Sequence, residues 1–257
     1  MARSTAQKVA PASRHKARSR EFLELVGKIS MLEGWREYDA LTKWLEAATC
    51  ALRNPVLRTI GDKLTWDENE ARYMKIVHSC RHPDDTMGAM SKMLAVAQLA
   101  LDEEPSDFIG PMFMEVAANS HVGQFFTPHE LSIVAARMTM ANPRDMLEAV
   151  MKDEGRDHLM LCEPACGVGG MVLAANQVMR EFNLDPARHA HWVCTDIDLK
   201  AVCGAYIQLT LTDTSAVVVH GNTITREMFD VLITAPALRY PKRKLHPDHV
   251  VEPALVE

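Results

Sequence analysis

The chain lacks the features that mark membrane, secreted and zinc-binding proteins. No apolar run approaches the roughly 18 residues that span a bilayer, and the first twenty residues have no apolar centre of a signal peptide. The six cysteines include no C-x₂-C pair and no histidine partners at zinc-site spacing. With 257 residues, 47% of them hydrophobic, the chain has enough apolar side chains for a sizeable core. We therefore expect a cytoplasmic, globular protein with reduced thiols and no metal site.

Acidic residues are absent from residues 1–20, which carry six Lys and Arg side chains. The whole chain has a net charge of −6, so the remaining residues carry −12. We predict that residues 1–20 form a basic, disordered arm. This composition suits contact with phosphate groups and equally suits a solvated tail.

Two larger regions follow the arm. Residues 21–104 have helical periodicity and no catalytic signature, which predicts a helical domain, and residues 105–257 are predicted to form a second domain. Early in this second domain, Thr127 has the sequence context of an N-cap, with Pro128 as the first residue of a helix. We expect the buried face of that helix to comprise Leu131, Val134, Ala135 and Met138.

The most informative stretch of the second domain is HLMLCEPACGVGGM at residues 158–171, where an apolar run gives way to glycines. This pattern predicts a buried strand, a tight turn and the start of a helix. Gly167, Gly169 and Gly170 allow the backbone to approach a ligand closely, and the helix would direct free N–H groups at the same place. Simple chain reversal is the alternative for such a turn.

Three more apolar runs, each predicted to be a strand, follow this turn. The second predicted strand ends at Asp196, where an acid is placed to bind a ribose diol, and the third covers 216–222. The fourth covers 229–236. With helices between strands, we predict an α/β fold with a parallel, doubly wound sheet, whose strand ends carry Glu163, Asp196, Asn222 and Ala235 at one edge. Val172 stands where a G-x-G-x-x-G motif needs its third glycine, which disfavours a dinucleotide.

Four segments, GQFFTP, EPACGVGG, TDID and HGNTI, occur in the order found in adenine-N6 DNA methyltransferases. Over roughly residues 105–236 the chain resembles the members of this family that form the modification subunits of type I restriction systems. The resemblance implies a Rossmann-like domain that binds S-adenosyl-L-methionine, behind a helical domain. It also implies DNA as substrate.

The resemblance implies roles for individual residues of the cofactor site. Thr127 and Pro128 match positions near the methionine end of the cofactor, Asp196 matches the acid that holds the ribose, and Ile197 matches the residue against the adenine. Asn222 matches a position that reaches the adenine amino group. The remaining positions pack behind the methionine end or form the turn near the amino acid and ribose: Phe125, Phe126, Glu163, Pro164, Ala165, Gly167 and Gly169.

The chain departs from this family where the catalytic motif is expected. Family members have Asn or Asp, two prolines and an aromatic residue there, to hold the target amine and stack on a flipped base. This chain has Ala235, Pro236, Ala237 and Leu238, without the amine acceptor and the ring. Tyr240 is the nearby ring that would substitute, with a surface tyrosine as the alternative. The basic cluster Arg239, Lys242, Arg243 and Lys244 is a candidate DNA contact.

Only residues 237–257 follow the fourth predicted strand, too few for the strands and helices that normally complete such a sheet. We therefore expect a partner subunit or a homo-oligomer to supply them. Three functions stay open: a weakly active or partner-dependent DNA methyltransferase, an inactive pseudo-methyltransferase that binds the cofactor and acts as a DNA-binding or regulatory subunit, and a small-molecule methyltransferase. The GQFFTP segment argues against the third.

Overall fold

The computed structural model describes residues 11–118 and 126–240. Its helices are α1 Pro11–Glu33, α2 Glu37–Ile60, α3 Lys63–Ser79, α4 Pro83–Glu103, α5 Ile109–Ala118, α6 His129–Met140, α7 Pro143–Glu154, α8 Gly170–Glu181, α9 Pro186–His189 and α10 Leu199–Leu211. Its strands are β1 Leu159–Glu163, β2 Ala190–Asp196, β3 Ala216–Asn222 and β4 Glu227–Ile233, followed by a short 3₁₀ helix, Ala235–Arg239. None of the described helices is long and apolar enough to cross a bilayer.

The first five helices pack around aromatic side chains. Phe22 meets Trp44 and Phe108 edge to face, with ring centroids 4.9 and 5.5 Å apart, and all three side chains are fully buried. The indole N–H of Trp44 donates to the carbonyl of Met90, 3.0 Å away, so its burial leaves no unsatisfied donor. The core of this region also includes Cys203 and Ile207 of α10. The helical region therefore packs directly on the α/β region.

The expected disordered arm is wrong for residues 11–20, which form the first part of α1. Arg18 in this helix pairs with Glu21 and with Glu103 of α4, at 3.2 and 3.5 Å. These neighbours give the basic side chain local acidic partners within the fold. Residues 1–10 lie outside the described residues.

The sheet has the strand order β1-β2-β3-β4. The first three strands are parallel, as predicted, with Glu163 opposite Cys194 and Asp196 opposite His220. The prediction for β4 is wrong, because β4 pairs antiparallel with β3. Only residues 223–226 connect these two strands, too few for the crossover that a parallel pair requires. The α/β class and the preceding helical region are confirmed, with a mixed sheet rather than an all-parallel one.

The reversal of β4 moves its end to the opposite edge of the sheet. Ile233 lies opposite Val217, near the beginning of β3. The buried Thr234 fixes this arrangement, since its hydroxyl donates to the carbonyl of Thr214 at 2.8 Å and accepts from the N–H of Ala216 at 2.9 Å. Ala235 therefore does not join Glu163, Asp196 and Asn222 at one edge, which corrects the sequence-based expectation.

Helix α6 uses a different face from the predicted one. Its buried residues are Ser132, Ala136 and Met140, which pack toward α8. Of the four residues that we expected to be buried, Leu131, Val134 and Met138 are exposed and Ala135 is half-buried. Small residues such as Ser132 and Ala136 allow two helices to approach closely, and this decides which stripe faces the core. Thr127 is not the N-cap either, because Pro128 occupies that position without a side-chain hydrogen bond.

Candidate cofactor-binding site

The glycine-rich turn joins β1 to α8 and is fastened to the end of β2. The N–H of Cys166 donates to the carbonyl of Thr195 at 2.9 Å, and the N–H of Gly167 donates to Asp196 Oδ2 at 2.8 Å. Gly167 and Gly169 have φ of +53° and +93°, the left-handed region that glycine adopts without penalty. Gly169 is the N-cap of α8, so the free N–H groups of that helix begin where the turn ends.

Asp196 holds two turns together at the tip of β2. Besides Oδ2, its Oδ1 accepts from the N–H of Asp198 at 2.9 Å. A carboxylate has about four acceptor positions, so these two bonds leave capacity for a ligand. Asp196 therefore both shapes the turn and presents a negative charge beside it.

Phe126 closes the turn from the other side. A Cβ added at Gly167 would lie 3.1 Å from the Phe126 ring, so a side chain at this glycine would press against the ring. The ring is itself held edge to face against Phe113 of α5, with centroids 5.3 Å apart. The segment before α6 thus forms a wall of the space beside the turn.

These elements enclose a cavity of about 360 Å³, within the usual range for small-molecule sites. Its lining residues are Asp107, Phe126, Thr127, Ser132, Glu163, Ala165, Cys166, Gly167, Val168, Gly170, Met171, Asp196 and Ala201. Three of them, Asp107, Glu163 and Asp196, carry carboxylates, which suits a ligand with hydroxyl groups or a positive charge. Burial raises the pKa of the Cys166 thiol, so this side chain stays protonated and is a poor nucleophile.

The cavity brings together six of the residues for which the sequence predicted a role at the cofactor: Phe126, Thr127, Glu163, Ala165, Gly167 and Asp196. Pro164 and Gly169 belong to the same turn without lining the cavity, and Ile197 follows Asp196 with 62% of its surface exposed. Pro128 follows Thr127 as the N-cap of α6. Phe125 lies outside the described residues. The sequence analysis missed Asp107, which belongs to no recognised motif.

Asn222 lies at the same edge of the sheet as Asp196 but has a local partner. Its side-chain oxygen accepts from the N–H groups of Ile224 and Thr225, at 3.0 and 3.2 Å, and so caps the turn between β3 and β4. The hydroxyl of Thr223 in this turn donates to the carbonyl of Pro164 at 2.6 Å. The β3–β4 turn therefore braces the glycine-rich turn.

The segment that the sequence predicted to stand at the family's catalytic motif lies away from the cavity. Ala235 is exposed, while Pro236 and Ala237 are buried and Leu238 is half-buried, all in the 3₁₀ helix after β4. This helix is at the edge where the parallel strands begin, and the cavity is where they end. At about 3.3 Å per residue, the seven residues of β2 separate the two edges by about 20 Å.

Two further predicted residues follow this segment. Arg239 forms an ion pair with Asp213 at 2.6 Å, and the half-buried Tyr240 ends the 3₁₀ helix. Both lie at the same edge as Ala235, far from the cavity. Lys242, Arg243 and Lys244 lie outside the described residues.

An α/β sheet with a glycine-rich turn, a strand-end acid and a cavity between them defines a domain that binds a nucleotide-like cofactor. A family model for N-6 DNA methylases matches residues 108–243, more than half of the chain. The chain therefore belongs to the N-6 DNA methylase family. A comparison with curated protein sequences gives no significant match.

Two solved structures resemble the chain at low identity. One is from Listeria monocytogenes and is described as a class I S-adenosylmethionine-dependent methyltransferase; it is 13% identical, with a TM-score of 0.43 over 84% of this chain and 56% of its own. The other is a methyltransferase subunit of a type I restriction-modification system from Streptococcus thermophilus, 12% identical, with a TM-score of 0.35 over 80% of this chain and 57% of its own. The chain spans just over half the length of each.

The cofactor of this family is S-adenosylmethionine, and the residues of the cavity fit it. Side chains at Gly167 and Gly170 would crowd the residues that line the cavity, since a Cβ there would lie 3.1 Å from Phe126 and 3.0 Å from Asp107, respectively. Glu163 and Asp196 offer acceptors for hydroxyl or ammonium groups. The nearby carboxylates would also stabilise the positive charge of the sulfonium group.

Proposed function

We propose that this chain is the cofactor-binding part of a DNA adenine-N6 methyltransferase, and that by itself it transfers methyl groups slowly or not at all. The observation that carries the proposal is that Ala235 follows the end of β4 at the edge where the parallel strands begin, whereas the cavity is at the edge where they end, about 20 Å along the strands. A methyl group can be transferred only when donor and acceptor are in contact, so a cofactor in the cavity does not reach a base held near Ala235.

The residues around the cavity have separate roles in this proposal. Asp196 accepts hydrogen bonds from the ribose hydroxyls while its bonds to Gly167 and Asp198 hold it in place. Phe126 and Thr127 form the wall near the methionine end, which keeps water from that end of the site. S-adenosylmethionine, when bound, supplies a methyl group on a sulfonium sulfur.

The target adenine would need two things that Ala235 and Leu238 do not supply: an acceptor for its amine and a surface on which to stack. Base stacking on an aromatic side chain is worth about 1–3 kcal/mol, and each 1.4 kcal/mol of transition-state stabilisation changes a rate tenfold. We infer that a partner chain, or a second copy of this one, supplies these groups together with target recognition. DNA is the proposed substrate, and Arg239, Lys242, Arg243 and Lys244 are proposed phosphate contacts.

A pseudo-methyltransferase that binds the cofactor without transferring its methyl group is the second candidate. The location of Ala235–Leu238 at the far edge of the sheet favours it, because the fold then has a cofactor cavity without the family's catalytic residues beside it. Such a chain would act as a DNA-binding or regulatory subunit.

Calorimetry with S-adenosylmethionine and S-adenosylhomocysteine, followed by single-turnover transfer of a labelled methyl group to adenine-containing DNA, tests both candidates. Binding of both ligands with slow transfer that a partner accelerates supports the first, and binding without transfer under any of these conditions supports the second. Rapid transfer by the purified chain alone would contradict both. Loss of that activity in Tyr240→Ala would then identify Tyr240 as the stacking residue.

A further inference from the structure

Asp107 is a buried carboxylate at the cavity that the recognised motifs do not include. It precedes α5, is 6% exposed, and stands one residue before the segment matched by the family model. Its side chain lines the cavity together with Glu163 and Asp196, which come from the ends of two strands. Asp107 therefore reaches the cavity from the segment before α5, and not from a strand end, where acids that bind nucleotide-like cofactors usually lie.

One oxygen of Asp107 is fully committed to the fold. Oδ1 accepts from the N–H of Gly110 and from the side-chain amide of Gln208, both at 2.9 Å. The same Gln208 amide nitrogen donates to the carbonyl of Val168 at 2.7 Å, and its oxygen accepts from the N–H of Phe108 at 2.8 Å. Gln208, itself fully buried, thus fixes the Asp107 carboxylate against the glycine-rich turn.

The other oxygen has no donor among the described residues. No N–H or O–H of the described chain donates to Oδ2, and no basic nitrogen there forms an ion pair with it. Burial raises the pKa of Asp107, opposed by its hydrogen bonds from Gln208 and Gly110 and by the nearby His129. Oδ2 opens to the cavity, where a carboxylate oxygen of a largely buried side chain loses part of its hydration at a cost in free energy. A positively charged ligand group would remove this cost.

The surroundings of Oδ2 indicate which ligand group it would meet. Oδ2 lies between two glycines: a Cβ added at Gly110 of α5 would overlap it, and one added at Gly170 would lie 3.0 Å from it, so this oxygen also faces the first turn of α8. Gly170 and Met171, both at the cavity, begin that helix, and the free N–H groups of a helix N-terminus bind carboxylates. An α-amino acid carries its ammonium and its carboxylate on one carbon. Its binding site therefore needs an acceptor directly beside such donors, as Asp107 is here.

We propose that Asp107 Oδ2 accepts a hydrogen bond from the α-ammonium group of the methionine part of S-adenosylmethionine, beside the N-terminus of α8. This inference rests on the proposed function. The alternative is that Asp107 only caps α5 through Gly110, which predicts a change in stability but no discrimination between ligands. The two are separated by comparing ligands with and without the amino acid.

The test is calorimetric titration of the wild-type chain and Asp107→Asn with S-adenosylhomocysteine and with 5′-methylthioadenosine, which lacks the amino-acid part. Asparagine keeps the shape of the side chain and the acceptor for Gly110 and Gln208 but removes the charge. Loss of a charged hydrogen bond should weaken S-adenosylhomocysteine binding about ten- to hundredfold. Binding of 5′-methylthioadenosine should change less than about twofold, since it makes no contact with Asp107.

Asp62→Asn is the matched control, because Asp62 caps α3 through the N–H of Thr65 and does not line the cavity. It should leave the affinity for both ligands unchanged. Asp107→Ser, which retains a capping oxygen, takes the place of Asp107→Asn if that variant does not fold. Unchanged binding of S-adenosylhomocysteine by the Asp107 variant, or equal loss of both ligands, would overturn the proposal alone. A wild-type chain that binds neither ligand would overturn the proposed function and this inference with it.

Discussion

The two edges of the sheet differ in what they can bind. At the edge where β1, β2 and β3 end, a cavity is lined by Gly167 and Gly170 and by three carboxylates. At the opposite edge, Thr234, Pro236 and Ala237 are buried, and the end of β4 is closed by hydrogen bonds to the start of β3. If the proposed function is correct, this difference makes cofactor binding and methyl transfer separable properties. Each can be tested at its own edge.

The sharpest test of this comparison concerns methyl transfer at the edge that holds Ala235, where failure of the prediction would have the largest consequence. We expect Ala235→Asn combined with Leu238→Tyr, which restores the acceptor and the ring of the family motif, to give no measurable increase in transfer, because both residues lie about 20 Å from the cavity. Ala237 is left unchanged because its N–H donates to the carbonyl of Thr234. Single-turnover transfer of labelled methyl groups measures the outcome, with S-adenosylhomocysteine affinity as the check on folding. An increase of about a hundredfold, equivalent to about 2.7 kcal/mol of barrier, would mean that β4 occupies another position.

The next effect is on stability and concerns what holds β4 in place. The buried Arg53 of α2 binds both oxygens of Asp230 at 2.8 and 2.9 Å and donates to the carbonyl of Val231. Removing one partner of a buried ion pair costs about 3–5 kcal/mol. Because Arg72 remains 3.6 Å from Asp230, Arg53→Ala should lower the free energy of unfolding by an amount near the lower end of that range. Arg239→Ala removes the exposed pair with Asp213 and should cost less than about 1 kcal/mol. Urea unfolding of both variants measures the two losses in free energy of unfolding. Equal losses would contradict the expected difference between the buried and the exposed ion pair.

A smaller effect concerns ligand affinity at the cavity edge. Asp196→Asn should weaken S-adenosylmethionine binding about tenfold or more, since a charged hydrogen bond contributes about 1.5–3 kcal/mol. Asp213→Asn is the comparison at the other edge, where the carboxylate pairs with Arg239 instead of lining the cavity. It should leave affinity unchanged. If the Asp196 variant folds and binds as tightly as the wild type, Asp196 does not hold the ribose.

The smallest effect concerns DNA. If the cluster Arg239, Lys242, Arg243 and Lys244 binds phosphates, replacing its members by alanine should reduce the slope of log affinity against log salt concentration by about 0.9 for each phosphate that is no longer neutralised. Fluorescence anisotropy with labelled duplex DNA at several salt concentrations measures the slope. Substitution of Lys28, Lys75, Lys92 and Lys152, four lysines outside the cluster, controls for net charge. An unchanged slope in the cluster variant would exclude these residues as phosphate ligands.

The direction of β4 could have been predicted from the sequence, although the apolar pattern alone does not contain it. An apolar run indicates a buried strand whichever way it runs, so the pattern of β4 fits both directions. The decisive signal is the short connection after Asn222, because a parallel neighbour requires a dozen or more residues. The glycine-rich turn and the ends of β1, β2 and β3 follow directly from local sequence, and these were predicted correctly.

Asp107 and the buried face of α6 depend instead on tertiary neighbours. Along the sequence, Asp107 has the pattern of an ordinary cap before a helix, and only the approach of Gln208 and Gly170 places it at the cavity. In α6, two sets of residues recur at helical spacing, one that begins at Leu131 and one that begins at Ser132. The choice between them is made by close packing against α8, which local sequence does not encode.

The ion pair between Arg53 and Asp230 also has a kinetic consequence. Its partners are 177 residues apart, so the pair closes a loop that includes most of the chain. The entropic cost of closing such a loop makes pairings of this length slow to form. During synthesis the guanidinium of α2 emerges long before its carboxylate partner, and it has to stay hydrated until β4 has been made. β4 therefore completes the burial of a helix that is synthesised well before it.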